Sequence, residues 1–233
     1  MFNFLLFLLD TIKIIMATKT KNPTATEWMG WYMDCQLSKP EKLHSIFTFT
    51  THFGYEEMEF YKHYASFEAL EKDIFDQFAK NTIALLNKDE SYGTLGPKDK
   101  YLSFLFTFFE TLTANRSFVL LCLDLKKNGF ATLGKLKKLK STFDHYITGL
   151  DIETWDTKHE RLEKLQQKSK TEVAWTHLLT ILRFWMTDSS PAFEKTDLFI
   201  EKSVRASFDL LDISKTKSVV DLAKFLVKEV RHS

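Results

Sequence analysis

Residues 54–70 read Gly-Tyr-Glu-Glu-Met-Glu-Phe-Tyr-Lys-His-Tyr-Ala-Ser-Phe-Glu-Ala-Leu, and the fold turns on how they are parsed. Gly54 is a helix-stopping residue, because glycine takes up positive φ without a side-chain clash. It closes a short helix expected over Ser45–Phe53 and precedes another over Glu56–Tyr64. Ser66 is a natural N-cap for a long helix to about Asn87. Upstream, Trp28, Trp31, Tyr32 and Cys35 fall on one stripe of a helix from about Thr26 to Leu37. Three short helices and a longer one, with a glycine between the second and third, have the order of a helix-turn-helix.

Outward from this core the chain stays helical. Period-two alternation is nearly absent and apolar residues recur at three and four, so the fold class is all-α. The stretch Lys88–Lys98 (KDESYGTLGPK) carries two Gly and one Pro and reads as the domain boundary. This gives an N-terminal extension (1–22), a helix-turn-helix domain (23–88) and a larger helical domain (98–233). Helices are expected in the latter at 99–114, 117–127, 133–149, 158–168, 170–187, 194–212 and 217–230. The first two are apolar nearly all round, with Leu102, Phe104, Leu105, Phe106, Phe108 and Phe109 unable to share one face, which marks them as interior.

Among 233 residues, 44% are hydrophobic and 32 basic side chains face 31 acidic ones, for a net charge of +1. That composition excludes a disordered chain and any general pull towards nucleic acid or membrane. Cys35 and Cys122 have neither CxxC nor CxxH spacing, which fits a reducing cytosol and gives a cytoplasmic expectation. The opening run MFNFLLFLLDTIKIIM is broken by Asp10 and Lys13 and is shorter than the roughly 18–20 residues of a spanning helix. Met16 reads as the initiator, with residues 1–15 an upstream over-extension; the alternative is an amphipathic helix lying on a protein or membrane surface. No later segment reads as a membrane span.

The string Phe60-Tyr61-Lys62-His63-Tyr64-Ala65-Ser66-Phe67-Glu68-Ala69-Leu70 resembles the end of the DNA-binding module of the tetracycline-repressor (TetR) family. That family typically reads Leu-Tyr-Tyr-His-Phe-Lys-Ser-Lys-Glu-Glu-Leu there. Tyr61, His63, Ser66, Glu68 and Leu70 match outright, Phe60 and Tyr64 are like for like, and the offset back to Gly54 is the family's own. The likeness is strong over about Ser45–Phe78 and weaker over the first helix. Beyond Lys88 it rests on helix count and order. It implies a three-helix DNA-binding module, a C-terminal ligand domain with an internal cavity, and dimerisation through the last long helices. Tyr55, Tyr61, Lys62 and His63 are the candidate DNA contacts it leaves, with Tyr61 and Tyr64 also expected as packing residues.

The recognition segment departs from that family in charge. Tyr55, Glu56, Glu57, Met58 and Glu59 stand where small, hydroxyl or basic residues are usual, and Phe67 replaces the lysine that opens the fourth helix. Pro23 to Glu90 holds six Lys, no Arg and twelve acids, a net charge of −6. Phosphate neutralisation supplies nearly all non-specific DNA affinity, so this balance works against it. The same glutamates also suit a helix N-terminus, whose dipole favours acids.

Other constellations carry less. Lys126, Lys127, Lys135, Lys137, Lys138 and Lys140 form a basic stretch. It reads as a solvated helix face over a buried stripe of Leu133, Leu136 and Leu139. The seven histidines include no HxxxH or HExxH, and no GxSxG, P-loop or GxGxxG occurs. No metal, cofactor or catalytic residue is expected, and Asp144 and His145 point about 100° apart on a helix. Phe104, Phe108, Phe118, Leu121, Cys122, Trp175, Leu178, Leu179 and Leu182 read first as core. The resemblance makes them candidates to line an apolar ligand pocket, with Arg116 and Arg183 the chief charges nearby.

Large apolar residues on more than one face of 170–187 and 194–212 point to a homodimer through those helices. Trp175, Leu178, Leu182 and Trp185 form one stripe, with Val173, Leu179, Ile181 and Phe184 off it. Phe199, Ser203, Ala206 and Leu210 form another, beside Ile200, Val204, Phe208 and Leu211. The final helix, with Val219, Leu222, Phe225 and Leu226, is the alternative cover. Two functions follow. One is a ligand-responsive homodimeric regulator that binds DNA. The other is a TetR-fold protein that has lost DNA binding and holds an apolar, lipid-like or isoprenoid-like ligand or a protein partner, as one group of TetR-like proteins does in quinone biosynthesis.

Overall fold

The computed structural model describes residues 22–123, 133–152 and 160–214, with residues 160–169 and 210–214 described as backbone alone. The expectations for residues 1–16, for the helix at 217–230 and for Lys126 and Lys127 lie outside the described residues. Nine α-helices are present among those described: α1 Ala25–Ser38, α2 Ile46–Phe53, α3 Glu57–Tyr61, α4 Phe67–Leu86, α5 Pro97–Ala114, α6 Arg116–Cys122, α7 Lys137–Gly149, α8 Glu160–Thr187 and α9 Glu194–Ser214. The chain divides into two compact units, one ending at Glu71 and the other beginning at Lys72, so the division falls inside α4.

In the first unit, helix boundaries follow from caps. Thr24 and Glu27 form a reciprocal capping box on α1: the Thr24 hydroxyl accepts from the Glu27 N–H and the Glu27 carboxylate accepts from the Thr24 N–H. Ser45 accepts from Thr48 N–H at 3.0 Å to open α2, and Ser66 accepts from Ala69 N–H at 3.2 Å to open α4. Gly54 closes α2 at φ 76°, its N–H returning to Thr50 and Thr51 carbonyls. The expected 56–64 helix is shorter, Glu57–Tyr61. The His63 and Tyr64 N–H groups both return to the Phe60 carbonyl, which tightens the chain into the turn that Ser66 caps. The core is aromatic. Trp28, Phe49 and Phe60 are fully buried and meet edge-on or tilted at 5.5–6.1 Å, arrangements that the ring quadrupoles favour.

In the second unit, α5 buries Tyr101, Phe104, Leu105, Phe108, Phe109 and Leu112, while Leu102 and Phe106 are half-buried. The α6 segment does not fit the expectation of an all-round interior helix. Phe118, Val119 and Cys122 turn inward, but Leu120 and Leu121 are exposed, because a two-turn helix offers only one face to the core. The helices expected at 158–168 and 170–187 are one helix, α8, since no Gly or Pro occurs within it to break the backbone ladder. On α7 the inward stripe is Leu136, Leu139, Phe143 and Ile147, whereas Leu133 is 43% exposed. A turn at 136 separates Leu133 from the helix proper and ends the spacing of three.

Gly54 is the one described glycine with positive φ. Gly54→Ala puts a Cβ in the left-handed region, which costs about 1–2 kcal/mol for an L-residue. We expect a loss of that size in urea unfolding, with helix content by circular dichroism unchanged under native conditions.

Candidate functional site

Two regions answer to the sequence candidates, one in each unit. In the first, α2, Gly54 and α3 are seated on Trp28. The half-buried Tyr55 ring meets Trp28 edge-on at 5.7 Å and stacks on Trp31, which in turn stacks on Phe53 at 4.7 Å. Tyr64 is buried as expected, but Tyr61 is 45% exposed and meets Phe60 edge-on. The packing expectation therefore fails for Tyr61: α3 ends there and its stripe has passed the core. Lys62 and His63 are exposed beside it, and the Lys62 ammonium donates to Glu59 at 2.6 Å.

Phe67 explains one departure in physical terms. The ring is half-buried against Tyr32, Phe49 and Phe60 at 5.2–5.7 Å. A position at which a lysine would reach outward is here part of the aromatic core. Near it, Tyr32 donates its buried hydroxyl to Glu71 at 2.6 Å and accepts from Gln36 at 2.6 Å. Exposed around α2 and α3 are Phe47, Met58 and Glu56, with Met58 65% and Phe47 63% accessible.

In the second unit, the aromatic candidates pack against one another. Phe104 stacks on Phe108 at 5.6 Å and on Tyr146 at 4.4 Å, and Trp175 meets Phe143 at 6.0 Å. Phe118 stacks with Phe75 at 6.2 Å. Phe104, Phe108, Phe118, Cys122, Trp175, Leu178 and Leu182 are buried and Leu179 is half-buried. Leu121 is 54% exposed, about 100° round α6 from the inward stripe, and leaves the set. His177 bridges three helices, with Nδ1 3.1 Å from the Tyr101 hydroxyl and Nε2 2.8 Å from the Ser203 hydroxyl; burial holds its pKa below the ordinary range. The basic stretch is largely compensated where described: Lys138 pairs with Asp73, and Lys140 with Asp144 and Glu172.

A half-open cleft of about 370 Å³ lies elsewhere, at the corner of α5, α8 and α9. Its walls are Phe109, Trp185 and Phe193 with Glu110, Thr113 and Asp197, so none of the nine expected residues lines it. The corner is held by Arg116. Its guanidinium donates to the carbonyls of Trp185, Met186 and Asp188 at 2.9–3.3 Å, and lies 4.4 Å from the Trp185 ring and 4.5 Å from Phe193. Trp185 and Met186 lie in the last turn of α8 and Asp188 directly follows it, at a helix C-terminus where a cation is favoured.

Asp188 then caps the start of α9. It accepts from Ser190 and Thr196, each through backbone N–H and hydroxyl. Burial pushes its carboxyl up, but these hydrogen bonds outweigh that and hold it down at about 2. Sequence reasoning flagged Arg116 as a ligand-facing charge and missed the cleft. The available signal was the Asp188–Phe193 turn, with Pro191 marking a helix break.

Arg116→Gln leaves several α8 carbonyls without a charged donor. At roughly 1–3 kcal/mol for a buried group so orphaned, we expect a loss of about 2–4 kcal/mol in urea unfolding, whereas Arg183→Gln, on an exposed side chain, changes stability by less than about 0.5 kcal/mol.

Among the described residues, no group of three or more His, Cys, Asp or Glu is placed to hold a metal ion, and no helix is long and apolar enough to cross a membrane. A search of curated proteins finds no match to the chain. A family model for the tetracycline repressor-like C-terminal domain matches residues 100–226, more than half of the chain. With an all-helical fold and the helix-turn-helix order around Gly54 already in place, that match settles the kinship: the chain belongs to the tetracycline repressor-like family, whose members are regulators.

Proposed function

We propose that the protein is a ligand-responsive regulator that works as a homodimer and contacts DNA through the outer end of α3. The observation that carries this reading is the α2–Gly54–α3 geometry, which leaves Tyr61, Lys62 and His63 exposed side by side. Dimerisation through α8 and α9 is supported by the side chains left over once their inner stripes are buried. Trp175, Leu178, Ile181, Leu182 and Trp185 face inward, and so do Ile200 and Val204. Val173 and Phe184 are exposed, and Phe184 stacks on the half-buried Phe199 at 4.8 Å. Ile181 belongs to the inner stripe rather than the outer one, and the exposed large apolar side chains left on α8 and α9 among the described residues include Val173, Phe184 and Leu198.

A second reading has its own observation. The module carries −6 over Pro23–Glu90, Lys62 is already paired with Glu59, and an apolar Met58 is exposed on α3. A module of that kind suits a TetR-fold protein that has given up DNA for an apolar ligand or a protein partner.

One set of measurements separates the two. The regulator elutes at twice the 27.3 kDa single-chain mass by light scattering. It also retards genomic fragments carrying paired half-sites about 34 Å apart, and raising salt weakens the complex. His63→Ala and Lys62→Ala each weaken it several-fold. Absence of any shift at 50 mM salt and micromolar protein, together with a co-purifying apolar molecule in native mass spectrometry, overturns the first reading in favour of the second.

A further inference from the structure

We propose that His177 is an acid-sensitive latch, which ties α9 to α5 and α8 while its ring is neutral and lets α9 loosen once the ring is protonated. The ring belongs to α8, with Nδ1 3.1 Å from the Tyr101 hydroxyl of α5 and Nε2 2.8 Å from the Ser203 hydroxyl of α9. What each group needs places the protons. Tyr101 is buried, and its hydroxyl makes no other hydrogen bond among the described residues, so its O–H donates to Nδ1. The single N–H of the neutral ring then sits on Nε2 and donates to the Ser203 oxygen. Ser203 in turn donates to the Ile200 carbonyl at 3.2 Å. Each polar hydrogen has an acceptor, and the relay runs in one direction across three helices.

A proton on Nδ1 breaks this order. Nδ1–H and the Tyr101 O–H then face each other, and the buried hydroxyl loses the acceptor it has among the described residues. An unsatisfied buried donor is costly, and the imidazolium brings a charge into a half-buried junction. The surrounding elements do not offset it. On α5, Tyr101 is kept protonated by burial, Asp99 is exposed, and Lys98 and Lys100 share the sign of an imidazolium. Glu172 and Arg183 on α8, and Glu201, Lys202 and Arg205 on α9, are exposed. On α7, which packs against α8, His145 is exposed, the Tyr146 hydroxyl donates to the Lys100 carbonyl, and Lys140 pairs with Asp144 and with Glu172. Burial alone holds the His177 pKa below its ordinary range, with no charged neighbour contributing. The unfolded chain therefore takes up the proton more readily than the folded one. Stability is fully present above the ordinary histidine value of about 6.5 and declines as pH falls from there through the lower folded value.

The latch rests on neither reading of the function, so a DNA-binding result of either sign leaves it in place. Its test uses the full chain. Imidazole NMR is expected to show His177 as the Nε2–H tautomer, titrating below about 6.5. Native-state hydrogen exchange at about pH 7.5 and about pH 5.5, corrected for intrinsic rates, is expected to show more frequent opening of α9 at the lower pH, by up to about tenfold for each unit of pKa depression. His177→Gln keeps one donor and one acceptor but takes up no proton in this range. It removes the rise in acid, whereas His145→Gln, at an exposed position on α7, retains it. An Nδ1–H tautomer, a His177 pKa at or above about 6.5, or an undiminished acid rise in His177→Gln overturns the proposal. The NMR titration of the unaltered chain decides the matter even where the variant does not fold.

Discussion

An all-helical chain must satisfy the unpaired N–H groups at the start of each helix and the unpaired carbonyls at its end, and this constraint governs where the protein places its polar chemistry. Thr24 with Glu27, Ser45 and Ser66 answer the starts of α1, α2 and α4, and Gly54 turns the chain so that α2 can stop. In the second unit the same need is met at one corner from both sides. Arg116 serves carbonyls at and just past the end of α8, and Asp188 serves the N–H groups of Ser190 in the turn and of Thr196 in the first turn of α9. Because each is partly or wholly withdrawn from water, its hydrogen bonds are stronger than surface ones and its loss more costly. The corner is thus rigid enough to hold two left-handed residues in place and to leave a cleft beside them.

Reading order in the sequence explains what was legible. Gly54, Ser66 and the aromatic string between them act locally, through φ preference and a hydrogen bond three residues along, so the helix-turn-helix order is visible from residues 45–70 alone. The stripe Trp175, Leu178, Leu182 and Trp185 is equally local, since helical period fixes which side chains share a face. What was not legible depends on partners far apart in the chain. Arg116 reaches carbonyls 69–72 residues away, and the cleft joins Glu110 to Asp197. Leu121 and Leu133 fit an apolar period but lie on short or interrupted helices, where periodicity does not decide burial.

The first unit shows how a core can claim residues that the family's module directs outward. Phe67 closes the aromatic cluster of Tyr32, Phe49 and Phe60, and Tyr55 rests between Trp28 and Trp31. Each large ring that packs there adds apolar burial at about 25 cal/mol per Å², and removes a polar or basic group from the surface. Stability and phosphate affinity therefore pull in opposite directions at these positions. With Lys62 also held by Glu59, what remains exposed on α3 is a mixed face of Met58, Tyr61 and Glu56 with a cationic end.

The second unit resolves a parallel tension differently. The nine aromatic and aliphatic side chains that the family's architecture assigns to a ligand chamber are, apart from Leu121 and Leu179, buried. Their aromatic members meet other rings: Phe104 lies between Phe108, Phe143 and Tyr146, and Phe118 lies against Phe75. Rings that stack in this way gain dispersion contacts that are individually small and collectively large. At the α5–α8–α9 corner Arg116 and Thr113 fix the Trp185 wall of a half-open cleft, and Glu110 and Asp197 face solvent at its rim. There the polar groups do the packing: one guanidinium ties the end of α8 to two ring faces, and one carboxylate ties the following turn to the start of α9.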